Sequence, residues 1–239
     1  MLLIPKALLF CIPHAGGSAS VYQPWSRISH SLEVVPLELA GHGSRMSNPF
    51  YSDFDEARQN VIEMMTARLT DEPFIVFGHS MGGLLAYEAT RVIEEKFSRS
   101  ANMLIISAHE PPHLRVPLNL HELSDLAFIE ELIQIGGMPD ELLAEPLLLE
   151  MFLPIIRHDF KLLASYKPSK TIHSVSCPVH VLSGNDDKTI DPANLLDWRR
   201  YTTDEFRMKT LTGGHFFIRE QASAIVRYVE ANRRLRQSV

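Results

Sequence analysis

Short apolar runs alternate along the chain with longer segments in which apolar residues recur at helical spacing. The apolar run Ala7–Ile12, for example, precedes the helical pattern of Ala19–Ser29. Such alternation is typical of a mainly parallel sheet covered by helices, and it predicts an α/β fold. The other predicted strands are Leu32–Leu39, Phe74–Phe77, Met103–Ser107, Val179–Ser183 and Arg207–Leu211. The other predicted helices are Phe54–Leu69, Gly83–Lys96, Pro192–Tyr201 and Phe217–Leu235.

The alternation stops between residues 109 and 176. Two leucine-rich helical segments, Leu123–Ile135 and Leu142–Phe152, follow each other there without an intervening strand. We predict a single domain over residues 1–239, with residues 109–176 inserted as a helical lid above the strand ends, where ligands bind in such sheets. The alternative is that these helices form an ordinary layer of the core, because apolar stripes often serve packing alone.

Composition excludes several classes of protein. The 239 residues are 45% hydrophobic and 22% charged with a net charge of −6, values that are ordinary for a soluble globular protein. Without a long basic block, nucleic acid is not an expected partner. Cys11 and Cys177 lie in or beside apolar runs and are predicted to be buried free thiols, and no Cys/His spacing indicates a metal site.

The apolar start of the chain does not predict a secretion signal. Lys6 interrupts the run, and no small-residue cleavage site follows it. No apolar stretch reaches the length needed to span a membrane. We therefore expect a cytoplasmic protein without a membrane partner.

The segment Gly78-His79-Ser80-Met81-Gly82 carries the strongest chemical signal in the chain. It reads G-x-S-x-G, with an apolar run before it and a helical pattern after it. That context is the nucleophile elbow of an α/β-hydrolase, so we predict this fold and Ser80 as the nucleophile. The alternative is a glycine-rich turn whose serine only caps the following helix.

A serine nucleophile needs a base and an orienting acid, which follow it in this fold in the order acid and then histidine. Asp187 lies in an acidic turn after the strand Val179–Ser183, and His215 follows a Gly-Gly turn after the strand Arg207–Leu211. We predict Asp187 as the acid and His215 as the base, with His215 at the start of a helix. Asp186 is the alternative acid, and a helix-capping role is the alternative for His215.

The oxyanion hole of such an enzyme uses two main-chain N–H groups. One belongs to the residue after the nucleophile, Met81, and the other to the loop after an early strand. In that loop we predict Ala15 as the donor, with Gly16 or His14 as alternatives. No nucleotide-binding glycine motif is present in the chain.

Several segments together resemble the type II thioesterases, the stand-alone enzymes that accompany non-ribosomal peptide and polyketide synthases. The resemblance covers nearly the whole chain, from about residue 7 to about residue 230. The elbow alone would indicate only a hydrolase superfamily, whereas the lid segments are specific to the family. The matching segments are His14–Gly17, Gly41–Gly43, Gly78–Gly83, Ser107–His113, Ile135–Pro139, Phe152–Asp159, Gly184–Lys188 and Gly213–Phe216.

The resemblance implies hydrolysis of acyl or aminoacyl thioesters on the phosphopantetheine arm of carrier proteins, which clears mis-primed or stalled arms. It implies a Ser80–His215–Asp187 triad that works through an acyl-enzyme, with Ala15 and Met81 as oxyanion donors. No cofactor is expected, because the substrate arrives on a partner's phosphopantetheine. The alternatives are a small-molecule carboxylesterase or acyltransferase with the same triad, and a non-catalytic binding protein with a hydrolase fold.

The expected partners are acyl or peptidyl carrier domains that dock from outside onto a monomer. The lid and the segment Gly41–Arg45 are the expected contacts, and Arg45 or Arg157 is a candidate to meet a phosphate or an acidic carrier helix. The alternative for either arginine is packing or simple surface exposure. His14 departs from the aromatic residue often found at its position, which is expected to change the polarity of the pocket but not a main-chain donor.

Overall fold

The computed structural model describes residues 7–114, 119–138 and 144–233. At its centre lies a sheet of six strands in the order β2-β1-β3-β4-β5-β6. Every neighbouring pair is parallel, as the alternating pattern predicts. The strands are β1 Ala7–Ile12, β2 Leu32–Pro36, β3 Phe74–His79, β4 Met103–Ser107, β5 Val179–Gly184 and β6 Phe206–Leu211.

The helices connect these strands and cover both faces of the sheet. They are α1 Gln23–Ile28, α2 Phe54–Thr66, α3 Met81–Phe97, α4 Asp125–Gln134, α5 Pro146–Ser165, α6 Pro192–Leu195 and α7 Ala222–Asn232. Short 3-10 turns occupy Ala19–Tyr22, Gly43–Arg45, Pro112–Leu114, Leu120–Glu122 and Leu196–Tyr201.

Three predicted helices differ from what is observed. The predicted helix Ala19–Ser29 begins as a 3-10 helix over Ala19–Tyr22 and is α-helical only over Gln23–Ile28. The predicted helix Pro192–Tyr201 is α-helical only to Leu195 and continues as a 3-10 helix. The predicted helix Phe217–Leu235 begins only at Ala222, because turns occupy the preceding residues, and its last two residues lie outside the described ranges.

The central strands are buried on both faces, which explains why their sequences are nearly continuous apolar runs. All residues of β1, β3, β4 and β5 are buried. Alternate residues of β1 face opposite cores: Phe10 and Ile12 pack with α2 and α3, whereas Leu9 and Cys11 pack with α1 and α7. Cys11 and Cys177 are buried free thiols, as predicted.

The strand order creates a crevice at the carboxyl edge of the sheet. From β1 the chain moves to β2 on one side and then returns to β3 on the other, so the order reverses between β1 and β3. Ligands bind at such a switch point, because the two following loops diverge and leave a gap. The loop after β1 carries Ala15, and the turn after β3 carries Ser80.

The helices α4 and α5 lie between β4 and β5 in the chain, where the sequence predicts a lid. Four buried residues of these helices and Met138, which lies between the helices in the chain, form a small core of their own. It is separate from the two cores that cover the faces of the sheet, and its residues are Phe128, Leu132, Met138, Leu153 and Ile156. The last turns of α5 join the main core instead, through Leu162. The predicted segment Leu142–Phe152 begins outside the described residues, and α5 runs well beyond its predicted end to Ser165.

Within the ranges given above, no helix combines the length and the apolarity that a membrane crossing requires. The start of the chain, on which the prediction about a secretion signal depends, lies outside those ranges.

Candidate active site

Ser80 occupies a tight turn between β3 and α3. Its backbone has φ 52° and ψ −121°, a conformation that a residue with a side chain rarely adopts. A Cβ atom at Gly78 would lie 1.9 Å from the carbonyl oxygen of Gly82, and one at Gly82 would lie 2.2 Å from that of Ile12. The two flanking glycines are therefore required by close backbone contacts, as the elbow pattern predicts.

The structure brings together Ser80, His215 and Asp187, which are far apart in the chain. The Nε2 atom of His215 lies 3.0 Å from Oγ of Ser80. The Nδ1 atom of the same ring lies 2.8 Å from Oδ2 of Asp187. With Nδ1–H donating to the carboxylate, Nε2 is free to accept the serine proton, which is the arrangement a general base needs.

Asp187, and not Asp186, contacts the histidine. The Asp187 side chain is only 2% exposed, and its Oδ1 atom accepts hydrogen bonds from the main-chain N–H of Thr189 at 2.9 Å and from its hydroxyl at 2.7 Å. Burial raises the pKa of Asp187, but the hydrogen bonds from His215 and Thr189 and the charge of His215 outweigh it and lower the pKa overall. The neighbouring Asp186 is exposed, and its main-chain N–H donates to Gly213.

His215 does not start a helix, contrary to the prediction. It lies in a run of turns between β6 and α7 that begins just after Gly214. The prediction was wrong because a Gly-Gly pair before an apolar segment is typical both of a helix start and of consecutive turns.

Two further imidazoles lie beside His215, and both are buried. His79 lies 5.4 Å from the His215 ring, and His14 packs against the edges of His79 and Phe216. Burial, followed by the charges of Arg219, His215 and His42, lowers the pKa of His14 to about 3. His14 is therefore neutral, and the two rings that it packs against, His79 and Phe216, are the ones that contact the His215 ring.

The loop after β1, residues 14–17, is the predicted oxyanion loop. The N–H of Gly17 donates to the carbonyl of His14 at 2.9 Å, which closes a tight turn. The N–H of Gly16 donates to Oδ2 of Asp159 at 2.6 Å, so this alternative donor is already engaged. In the part of the chain that the structure describes, the N–H groups of Ala15 and Met81 have no protein acceptor. Ala15 also lines the same cavity as Ser80.

Asp159 and His42 form a buried pair behind the oxyanion loop that sequence reasoning missed. The Asp159 side chain is 0% exposed and its Oδ2 atom lies 2.8 Å from Nε2 of His42, whose Nδ1 donates to the carbonyl of Ala40 at 2.9 Å. Burial lowers the pKa of His42, but the hydrogen bond and charge of Asp159 and the Ala40 carbonyl raise it overall. The only sequence signal was that both residues lie in segments of the family resemblance.

A cavity of about 310 Å³ opens beside Ser80 and His215. Its lining is mostly apolar and comes both from strand-end loops and from the lid region. Such a lining is suited to an acyl chain, because most of the surface it offers is hydrocarbon. The other lining residues are Ala15, Ala108, His109, Glu110, Leu120, Ile135, Phe160, Leu163, Thr189 and Ile190.

The two arginines considered as carrier contacts bind within the protein. Arg45 donates through Nη1 to the carbonyl of Glu38 at 2.9 Å and to Asn60 at 2.8 Å. Arg157 donates to two carbonyls before α4 and to Asp125, and its guanidinium lies 4.4 Å from the centre of the Phe128 ring. Both side chains therefore fit the packing alternative.

Within the described ranges, no three His, Cys, Asp or Glu side chains are grouped closely enough to hold a metal ion.

The chain is similar to known proteins both in sequence and in structure. The sequence profile of the family described as "Thioesterase domain" matches residues 7–232. Thioesterase PikA5 of Streptomyces venezuelae is 31% identical over 216 residues, which cover 89% of this chain and 76% of PikA5.

Two solved structures extend this similarity to three dimensions. ClbQ from the colibactin NRPS/PKS pathway has a TM-score of 0.89 at 30% identity, over 95% of this chain and 96% of ClbQ. The type II thioesterase BorB from the borrelidin biosynthetic cluster has a TM-score of 0.86 at 31% identity, over 96% of this chain and 93% of BorB.

Proposed function

Because the chain belongs to the thioesterase family, whose members hydrolyse thioesters, we propose that its substrates are acyl or aminoacyl groups on the phosphopantetheine arm of carrier proteins. The observation that carries this proposal is the hydrogen-bonded series Ser80–His215–Asp187, whose serine and histidine line a mostly apolar cavity. The similarity to BorB, a type II thioesterase from a biosynthetic cluster, supports a role in clearing carrier arms.

In the first half of the reaction, Oγ of Ser80 attacks the thioester carbonyl while Nε2 of His215 takes the serine proton. Asp187 holds Nδ1–H of the ring and stabilises the imidazolium that forms. The carbonyl oxygen becomes an oxyanion and accepts hydrogen bonds from the N–H groups of Ala15 and Met81. The oxyanion then collapses and the carbon–sulfur bond breaks, and the His215 imidazolium gives its proton to the departing thiolate, which leaves as the free thiol.

In the second half, a water molecule attacks the acyl-enzyme. His215 takes a proton from the water and returns it to Oγ of Ser80, so the serine is regenerated and the acid is released. The proposed reaction needs no cofactor, since the thiol leaving group is a good one and the phosphopantetheine belongs to the partner.

One carboxylate in the cavity lining supports the inclusion of aminoacyl groups. Glu110 is held by its Oε1 atom, which accepts from the N–H of Asp191 at 3.1 Å and from Asn194 at 3.0 Å. A fixed carboxylate in a mostly apolar pocket favours an acyl group that carries an ammonium.

The test follows a phosphopantetheinylated carrier protein loaded with an acetyl or an aminoacyl group by mass spectrometry. We expect the enzyme to return the carrier to its free-thiol form, and Ser80→Ala to lower kcat by about 10⁴-fold or more while the fold is kept. Retained turnover in the variant would contradict the role of the serine.

A matched pair of small substrates separates the alternatives. A higher kcat/KM for an oxygen ester than for the corresponding acyl-pantetheine thioester would favour a carboxylesterase. A product other than the free acid would indicate acyl transfer, and a correctly folded enzyme that a fluorophosphonate does not label would indicate a binding protein.

A further inference from the structure

The lid helix α5 contacts the oxyanion loop through two residues on one face. Asp159 binds the Gly16 N–H at 2.6 Å, and Ile156, three residues earlier on the same face, lies against Gly16 so closely that a Cβ atom there would be 2.5 Å from its Cγ1. Gly16 has φ +74°, so this loop position depends on glycine. The donor Ala15 is the residue directly before it.

The Asp159–His42 pair is poorly explained by stability alone. Asp159 is fully buried, and its Oδ1 atom has no hydrogen-bond partner among the described residues. Burying a carboxylate costs free energy that one ion pair often fails to offset, and an apolar side chain of similar size is frequently at least as stable. The buried Asp159 carboxylate therefore indicates a role in the site rather than in stability.

The geometry of the pair fits such a requirement. Oδ2 of Asp159 accepts from the Gly16 N–H and from the Nε2 atom of His42, so one oxygen joins the lid, the oxyanion loop and the loop after β2. His42 is itself fixed by its bond to Ala40. Engaging the Gly16 N–H orients the peptide plane on one side of Gly16 and thereby restricts the adjoining Ala15.

We propose that Asp159, held by His42, is a positioning residue that fixes the oxyanion loop so that the Ala15 N–H faces the reacting carbonyl. The inference rests on the proposed function, because it requires Ala15 to be an oxyanion donor. It also makes the oxyanion hole depend on the position of α5: a lid that moves away removes the acceptor of the Gly16 N–H. The hole is complete only while the lid is seated.

The test compares Asp159→Leu, which removes both bonds, with Asp159→Asn, whose amide oxygen can still accept from Gly16. The control is Leu162→Ala on the same helix, since Leu162 is buried in the main core and is not part of the cavity lining. We expect Asp159→Leu to lower kcat by about 10²-fold with little change in KM, the size of effect seen when one oxyanion donor is lost. Asp159→Asn should recover part of that loss.

A pair of inhibitors separates positioning from general damage to the fold. A trifluoromethyl ketone analogue of acyl-pantetheine forms an oxyanion on the serine, whereas the corresponding thioether occupies the cavity without one. We expect Asp159→Leu to lower the affinity for the ketone by about the same factor as it lowers kcat. The affinity for the thioether should stay unchanged. The Leu162→Ala variant should lower stability and leave the ratio of the two affinities as in the wild type.

The inference fails if the folded Asp159→Leu enzyme keeps the wild-type kcat. It also fails if this variant loses affinity for the ketone and for the thioether by the same factor. Should that variant not fold, Asp159→Asn and His42→Gln provide the same two readouts, and a wild-type ketone-to-thioether ratio in both would overturn the inference. A wild-type enzyme that hydrolyses no carrier-bound thioester would refute the proposed function instead. In that case the ratio of ketone to thioether affinity, measured with the free pantetheine analogues, would still test the positioning role of Asp159.

Discussion

The carboxyl edge of the sheet and α5, the longer helix of the predicted lid, both border the cavity at Ser80, but they are built differently. At the sheet edge, Ser80 and Asp187 lie within a few residues of a strand end, in turns fixed by backbone contacts and ladder hydrogen bonds. The lid contributes through side chains on a helix, above all Asp159 and Phe160. Backbone positions leave little room for adjustment, whereas side-chain contacts across two packed elements can separate without unfolding either one.

The outer surface of the lid strengthens this contrast. Leu126 is 70% exposed and Leu147 is 78% exposed, while the strands beneath the site are buried throughout. The groups that perform the proposed chemistry thus lie in loops around fully buried strands, whereas Asp159 and Phe160 belong to a helical layer that exposes apolar side chains. Three further predictions test this division.

The largest effect, on kcat, is expected from a substitution of Asp187, the acid of the triad at the sheet edge. Asp187→Asn should lower kcat by about 10⁴-fold, because the amide no longer holds the His215 tautomer whose Nε2 accepts the serine proton. KM should change little, since Asp187 is not part of the cavity lining. Steady-state kinetics on an acyl-pantetheine thioester measure both constants.

The matched control is Asp186→Asn, which alters an exposed neighbour that does not contact His215. This variant should stay within a few-fold of the wild type. Equal losses in the two variants would contradict the assignment of the acid.

A smaller effect, on stability, is expected from one added methyl group in each region. The Cβ atom of Gly82→Ala would lie 2.2 Å from the Ile12 oxygen and 2.5 Å from that of Pro13, both backbone atoms that cannot move aside. We expect this change at the sheet edge to lower the free energy of unfolding by about 3 kcal/mol, at the upper end of overpacking costs. Urea denaturation is the measurement.

In the lid region, Gly137→Ala serves as the comparison. Its Cβ atom would meet its nearest neighbours at 3.4 Å and 3.5 Å, which is ordinary contact. The free energy of unfolding should change by no more than about 0.5 kcal/mol. If both variants were equally destabilised, the tighter backbone packing inferred for the sheet edge would be wrong.

The smallest effect, on the pH dependence of stability, is expected from the His42–Asp159 pair, which joins the two regions. The pKa of folded His42 is raised above its ordinary value of 6.5, so its contribution to stability is present below that value and is lost as pH rises through the folded pKa. The difference in free energy of unfolding between the wild type and His42→Gln should therefore shrink as pH rises above about 6.5.

His158→Gln is the control with the opposite sign. Burial, against the influence of Asp159, lowers the pKa of His158 below its ordinary value of 6.5. The stability difference for this variant should therefore grow as pH rises towards that value. A His42→Gln difference that is independent of pH would indicate that the pair is not charged in the folded protein.

Much of the site at the sheet edge could be predicted because each part is encoded locally. Ser80 lies between two glycines whose spacing the elbow requires, and Asp187 and His215 each follow a strand and a glycine turn. Two adjacent carboxylates in a turn have nearly the same local pattern, so the sequence leaves Asp186 as an alternative to Asp187. The pattern before His215 is similarly ambiguous, because a Gly-Gly pair before an apolar segment is typical both of a helix start and of consecutive turns.

The sequence by itself determined the parallel α/β architecture, the buried thiols and the three residues of the site that follow strand ends. Strand periodicity and turn chemistry are local properties, so they can be read from neighbouring residues. Only the tertiary structure decided that Asp159, 143 residues from Gly16, accepts its N–H, and that Arg45 and Arg157 bind within the protein. Those contacts depend on how α5 packs across the carboxyl edge of the sheet, and packing between distant segments leaves no periodic signal in the chain.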